Sequence, residues 1–277
     1  MAARTGLVLA LAPPGSDDLG SRLPTYLHPL AGRPLAWHAV QAAAALAPGR
    51  VSVVAGPELG PDLFGDLPGG ARVLDSSSGG VAAAVAEAAG GRLLAVDALA
   101  PTAGRALPSL LEHDGDALLV GSDGAVLAAW LGTEGAARLV DTGGDLAALA
   151  ALLPHAHRRV DEAVFGVRSR ACLARASAAI RDRVVRRLMG EGVTFLLPET
   201  VLVDVDVTIG RDTVVYPGAV IEGATTIGAE TVIGPYCRIV ACRIGSGVEL
   251  KGFNYLSHTS LRNRAILEAH VRRGYDQ

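Results

Sequence analysis

The chain has 277 residues, half of them apolar and 19% charged, with a formal net charge of -3. That length suits one large domain or two ordinary ones, and the composition is that of a folded chain rather than a disordered one. The nearly balanced charge gives no support to nucleic acid or an anionic membrane as a partner, and no apolar run reaches the roughly 18 residues of a membrane span.

The opening MAARTGLVLALAPPGSDD has one arginine before a short apolar stretch, which gives it a superficial likeness to a secretion signal. Domain-like sequence follows at once, so Gly6–Ala12, with its apolar run Leu7–Ala12, is read as a buried first strand. Pro34–Ala47 follows as a helix with Pro34 in its first turn. Val51–Ala55 and Leu93–Val96 are short buried strands, and Val81–Ala89 is an Ala-rich helix after the break at Gly79 and Gly80. Leu118–Val120 and Val126–Trp130 flank Gly121-Ser122-Asp123-Gly124, an Asp-Gly hairpin signal. Strands alternating with helices predict an α/β domain around a mostly parallel sheet. Ser169–Met189 is then a long helix with a basic face (Arg175, Arg181, Arg183, Arg186, Arg187), closed by Gly190 and Gly192. That face, and the cluster His155, His157, Arg158 and Arg159, are read as solvated or intersubunit surface rather than a polyanion site. Cys172, Cys237 and Cys242 have neither metal-ligand spacing nor a secreted disulfide pattern, which fits a reducing, cytoplasmic setting.

From Val203 the period changes. Val203, Ile209, Val215, Ile221, Ile227, Ile233 and Ile239 stand six apart without a break. Four places after each of the first six comes a small residue: Val207, Thr213, Ala219, Thr225, Thr231 and Cys237. Neither a helix nor a flat strand has that period; it fits a three-sided parallel β-helix in which each hexad is one side. The aliphatic residues fill the prism and the small ones let the chain turn, so Cys237 is assigned to packing. The pattern continues through Ile244, Leu250, Leu256, Leu261 and Leu267 with one-residue slips. The predicted plan is an α/β domain over 1–168, a linker helix over 169–192 and a β-helix over 193–277.

Leu23–Leu35 reads L-P-T-Y-L-H-P-L-A-G-R-P-L and resembles the L-P-K-x-L-x-x-[LV]-x-G-[KR]-P-[LM] segment of sugar-1-phosphate nucleotidyltransferases. With the C-terminal solenoid, it is similar to the family of bifunctional N-acetylglucosamine-1-phosphate uridyltransferase/glucosamine-1-phosphate acetyltransferase (GlmU). Gly192-Val193-Thr194 and Asp204–Val214 are similar to the way that family enters its solenoid. The resemblance implies a Rossmann-like nucleotidyltransferase domain, a left-handed β-helix, and trimerisation through the flat faces of that helix. It also implies a reaction in which a sugar phosphate attacks the α-phosphate of UTP, with Mg²⁺ and basic side chains holding the charge.

The segments that pack keep the family pattern, while the positions implied to touch phosphate, metal and base depart from it. The glycine-rich phosphate loop, L-A-A-G-x-G-T-R-M, aligns with Leu11–Leu19, where Ala12 is kept and Gly15 stands at the variable position. Pro14 and Ser16 replace its glycines, and Asp18 stands where the family has arginine. Pro13 and Pro14 offer no amide N–H to a triphosphate. Thr25 occupies the place of the phosphate-binding lysine, and the base-recognition turn is reduced to Asp75–Ala82. The metal aspartate is retained as Asp97, whereas the second metal ligand, an asparagine, aligns with Arg168, whose guanidinium cannot ligate Mg²⁺. Pairing of Asp18 or of Asp97 with Arg168 would fill the vacated cation position. In the acetyltransferase half Tyr255 matches, but the general-base position is Gly252 and the following Gly-Asp pair is Ser257-His258. Gly274–Gln277 falls about where a later catalytic loop would lie, so the last family coils are expected to be missing, and two registers for those coils remain open. His258 and His270 are read as surface residues.

These departures predict a homologue that has lost both transfer reactions and acts as a homotrimeric scaffold, regulatory partner or sugar-nucleotide sensor, with a sugar nucleotide or a cell-envelope biosynthesis enzyme as partner. No cofactor is expected. The alternative is a divergent but active sugar-1-phosphate nucleotidyltransferase of the UDP-N-acetylglucosamine pyrophosphorylase type, which would need Mg²⁺.

Overall fold

The computed structural model describes residues 4–11, 19–47, 51–56, 66–88 and 91–275. They form two compact units, one of Met1–Pro29 with Pro34–Ala176 and the other of Leu30–Arg33 with Ser177–Gln277.

The first unit is a seven-stranded sheet flanked by helices. Its elements are β1 (Arg4–Ala10), α1 (Leu35–Leu46), β2 (Val51–Ala55), β3 (Arg72–Asp75), α2 (Gly80–Glu87) and β4 (Arg92–Asp97). Then come α3 (Leu107–Leu110), β5 (Ala117–Gly121), β6 (Val126–Leu131), α4 (Thr133–Asp141), α5 (Leu146–Leu152) and β7 (His157–Asp161). The strand order is β3-β2-β1-β4-β6-β5-β7. All neighbours are parallel except β6, which runs antiparallel to β4 and to β5. The central strands are apolar throughout because helices cover both faces. Leu7, Leu9, Val54, Leu93, Leu118 and Leu131 share one core, with Val81 from α2 and Leu149 from α5 packed among them.

The first strand begins two residues before Gly6 and stops at Ala10; Ala12 lies outside the described residues. Pro34 caps α1 with extended dihedrals instead of sitting in its first turn, because the residue ahead of the helix must still be non-helical. Strand β3, helices α3 to α5 and edge strand β7 were not anticipated; these segments are only four to nine residues long.

Helix α6 (Arg170–Gly190) crosses the division between the units. Gly190 is its last residue, and Gly192 beyond it adopts φ 99°, a conformation glycine reaches without steric cost. Its arginines have local partners: Arg175 stacks 3.9 Å over the Phe165 ring, Arg181 pairs with Asp182 at 2.7 Å and Arg187 with Glu191 at 3.5 Å. No helix among the described residues is long and apolar enough to cross a membrane.

The second unit is a left-handed parallel β-helix. Its three sheets contain five, five and four short strands, each strand pairing in parallel with the equivalent one a coil later. The first rung opens at Thr194–Phe195. The inward columns are Val203–Ile221–Ile239–Leu256, Ile209–Ile227–Ile244–Leu261 and Val215–Ile233–Leu250–Leu267, in strict register. Each of these side chains is at least nine-tenths buried, which stabilises the unit by roughly 1.5–3 kcal/mol per residue before chain entropy is counted.

The one-residue slips have a simple location. After a first coil of 20 residues, from Phe195 to Val215, the spacing is 18 residues until Ile227 pairs with Ile244, 17 residues on. The two five-residue sides, Ile239 to Ile244 and Leu256 to Leu261, stack on one another, so the prism stays in register. Corners are turned by residues with positive φ, including Tyr236 (53°), Ala241 (48°), Phe253 (53°) and His258 (46°). Directly after such residues come the small buried ones, as with Cys237 after Tyr236 and Cys242 after Ala241. Thr213 and Thr231 bury hydroxyls that donate to the carbonyls of Gly228 (3.0 Å) and Gly245 (3.1 Å). Cys237 and Cys242 are buried free thiols, consistent with packing at these corners.

Candidate functional site

Strands β1, β2 and β3 proceed outward on one side of the sheet, and the chain then returns to place β4 on the other side of β1. The order therefore reverses between β1 and β4, and the crevice beyond their carboxyl ends is where open α/β sheets accept ligands. A cavity of about 750 Å³ lies there, with Leu9, Tyr26, Asp97, Leu99, Gly144 and Arg168 among its lining residues.

Asp97 ends β4 with 16% of its side chain exposed. Its Oδ1 accepts the Leu99 amide N–H at 2.9 Å, and its Oδ2 accepts from Arg168 Nη2 at 3.0 Å. Burial raises the carboxyl above the usual aspartate range; the Leu99 amide and the Arg168 guanidinium oppose the shift, and Asp123 adds to it. Half of the Arg168 side chain faces solvent, so the pair is worth about 1 kcal/mol or less in stability. Of the two pairings open for Arg168, the described residues contain the one with Asp97; Asp18 lies outside them.

The other anticipated site residues are dispersed. Ala12, Gly15 and Ser16 also lie outside the described residues. Thr25 is buried in a short helical turn with no hydrogen-bond partner for its Oγ1, and its neighbour Tyr26, not Thr25, lines the cavity. Asp75 accepts from the Ser77 amide and hydroxyl, both at 2.8 Å, so the serine-rich turn is a cap leading into α2 and is not part of the cavity wall. Tyr255 stands on an outward face of the second unit, its ring between the guanidinium groups of Arg238 (5.7 Å) and Arg272 (5.3 Å). His258 stacks on Tyr275 and His270 on Phe253.

Sequence reasoning missed the Gly143–Ala147 wall of the cavity. Asp145 caps α5 there, its Oδ1 accepting the Ala147 and Ala148 amides at 2.8 and 3.1 Å. The signal was present as an aspartate directly ahead of L-A-A-L-A-A-L, an N-cap before an apolar helix.

The described residues do not fit a divalent cation. Both Asp97 oxygens are already engaged, and among the described residues no three His, Cys, Asp or Glu side chains gather to hold a metal. A doubly charged ion within ~4 Å of the Arg168 guanidinium would meet a repulsion of roughly 8 kcal/mol at an effective dielectric constant near 20.

Fold and site together define a class: an α/β unit with a cleft at its topological switch point, joined to a hexapeptide-repeat β-helix. Residues 206–241 match the family described as bacterial transferase hexapeptide (six repeats). The chain is GlmU-like. It is 44% identical over 91 residues to the bifunctional protein GlmU of Geobacillus thermodenitrificans (strain NG80-2), covering 33% of this chain and 20% of that protein. It is 40% identical over 136 residues to the protein of that name from Exiguobacterium sp. (strain ATCC BAA-1283 / AT1b), covering 43% of this chain and 29% of that one. The matched segments thus span between a fifth and a third of these relatives' length. A solved structure described as a Bacillus anthracis glucose-1-phosphate thymidylyltransferase aligns with 65% of this chain and 96% of its own at 14% identity and TM-score 0.47, too loosely to carry an argument.

Proposed function

We propose that this chain is a GlmU-like sugar nucleotidyltransferase homologue without uridyltransferase or acetyltransferase chemistry, a cytoplasmic homotrimer that acts as a scaffold or regulatory partner of a cell-envelope biosynthesis enzyme. The observation that carries the reading is the Arg168 guanidinium on Asp97, which puts a fixed positive charge on the carboxylate a catalytic metal would need. Replacement of the phosphate-binding lysine by Thr25 supports it. The altered acetyltransferase segment around Tyr255 supports the same conclusion for the other half. The flat outer faces of the β-helix support the trimer, and light scattering that gave a monomer at micromolar protein would overturn that part.

The test of lost chemistry is pyrophosphate release from a panel of nucleoside triphosphates with glucosamine-, N-acetylglucosamine- and glucose-1-phosphates in the presence of Mg²⁺. No release above the background measured without protein is expected. The second reading, a divergent active transferase, is favoured by one observation, the retained Asp97 at the rim of a 750 Å³ cavity, and robust turnover with any pair would establish it.

A further inference from the structure

Arg168 has surroundings that an ordinary surface arginine lacks. It follows Val164–Val167, of which Val164, Phe165 and Val167 are fully or almost fully buried, and the Val167 amide donates to the Leu99 carbonyl at 2.8 Å. That bond ties the segment to the residues immediately after β4, so Asp97 and Arg168 are positioned by the same backbone contact. Gly166 leaves the space the guanidinium passes through: a Cβ there would stand 3.2 Å from Arg168 Nε and 3.6 Å from Asp123 Oδ2. Asp123 therefore flanks the same point, and its Oδ1 is engaged by the Ala125 amide of the hairpin turn at 3.2 Å. The guanidinium pairs with Asp97 at the end of β4, and Asp123, in the turn between β5 and β6, is close enough to act electrostatically on Asp97.

We infer that Arg168 is a fixed counter-ion taking the place of a divalent cation in this cleft, so that the cleft binds no metal and any anionic group that enters is received by the guanidinium. The inference deepens the proposed function and rests on the same cleft. A guanidinium has five N–H donors, and one is spent on Asp97 among the described residues; half of the side chain is exposed at the cavity wall. A planar fork of donors suits a carboxylate or a phosphate monoester, where a bound metal would instead bridge several phosphate oxygens. The charges balance accordingly. Arg168 and Asp97 cancel, Asp123 is left over, and removing the guanidinium leaves Asp97 uncompensated within the field of Asp123.

The experiment is Mn²⁺ titration of the full chain followed by electron paramagnetic resonance, with thermal melts as a check on folding. The wild type is expected to show no saturable Mn²⁺ site up to millimolar concentration. Arg168→Asn should acquire one, at least tenfold tighter than any binding by the wild type, and Arg168→Asn with Asp97→Asn should lose it again. Arg168→Lys keeps the charge and should stay metal-free. A saturable Mn²⁺ site in the wild type that Asp97→Asn abolishes would overturn the inference, and so would a folded Arg168→Asn variant that gains none. The two readings fail separately: Mn²⁺ binding without pyrophosphate release sinks only the counter-ion, whereas turnover without Mn²⁺ binding sinks only the loss of chemistry.

Discussion

Truncating Asn254 to alanine tests how the solenoid corners are held. Asn254 is 1% exposed and occupies the corner column that contains Cys237 one coil earlier and Ala219 two coils earlier. Its Nδ2 donates to the Glu268 carbonyl at 2.7 Å, and its Oδ1 accepts the Gly252 amide at 3.3 Å and faces the Cys237 thiol at 3.6 Å. Alanine would remove the amide and leave one backbone carbonyl and one backbone N–H without these partners. A buried orphan costs about 1–3 kcal/mol; Gly252 is buried whereas Glu268 is exposed and its carbonyl can meet water, so the expected loss is about 2 kcal/mol. Urea unfolding of the full chain followed by far-UV circular dichroism should show a lower midpoint with an unchanged slope for the solenoid transition. Asn254→Asp keeps the acceptor for Gly252 but sets a carboxylate against the Glu268 carbonyl. It should be at least as destabilised at neutral pH and recover as the pH falls toward about 4, where the protonated acid can donate. A loss below about 1 kcal/mol for the alanine variant would refute the claim that this corner depends on side-chain hydrogen bonds.

Asp97 supplies a pH dependence. Its folded-state carboxyl is raised by burial, so between the unfolded value of 3.8 and the raised folded value the native state holds more protons, and this group's destabilisation is relieved as pH falls. The melting-temperature difference between Asp97→Asn and wild type should therefore move against the variant from pH 7 to about pH 4; a difference independent of pH would contradict the assignment. Gly228→Ala would place a Cβ 2.5 Å from the Ser246 amide nitrogen of the next coil, and thermal melts should report a loss of about 1–3 kcal/mol, because backbone cannot swing aside as a side chain can. Glu222→Gln breaks the 2.6 Å pair with Arg238, whose partners are 33% and 54% exposed, and should change stability by no more than about 1 kcal/mol in the same urea assay.

The β-helix was legible because a six-residue period reports packing directly: every aliphatic hexad residue from Val203 to Leu267 lies inside the prism. The slips at Ile239–Ile244 and Leu256–Leu261 were visible as spacing, but not that they stack on the same corner, which depends on coil-to-coil register. In the first unit Val51–Ala55 coincides with its strand, since a short β-branched run between breaks has few alternatives. Strand β7 was not legible. His157–Asp161 is nearly all exposed and polar, and its strand character comes from pairing along β5, a long-range contact that local pattern does not encode.

The cleft was legible in a different way, through substitutions rather than pattern. Arginine after Gly166-Val167 has no periodic signature; it stood out because its charge is wrong for a metal ligand. That observation left two carboxylates as candidate partners. What selects Asp97 is the backbone bond from Val167 to Leu99, which sets the two segments side by side although 71 positions separate Asp97 from Arg168. Burial then makes the pairing consequential. A carboxylate held at 16% side-chain exposure beside Asp123 is costly when ionised, and the guanidinium offsets that cost in the place where a metal would otherwise do so. Removing Arg168 should therefore disturb the cleft through Asp97 more than through any contact of its own.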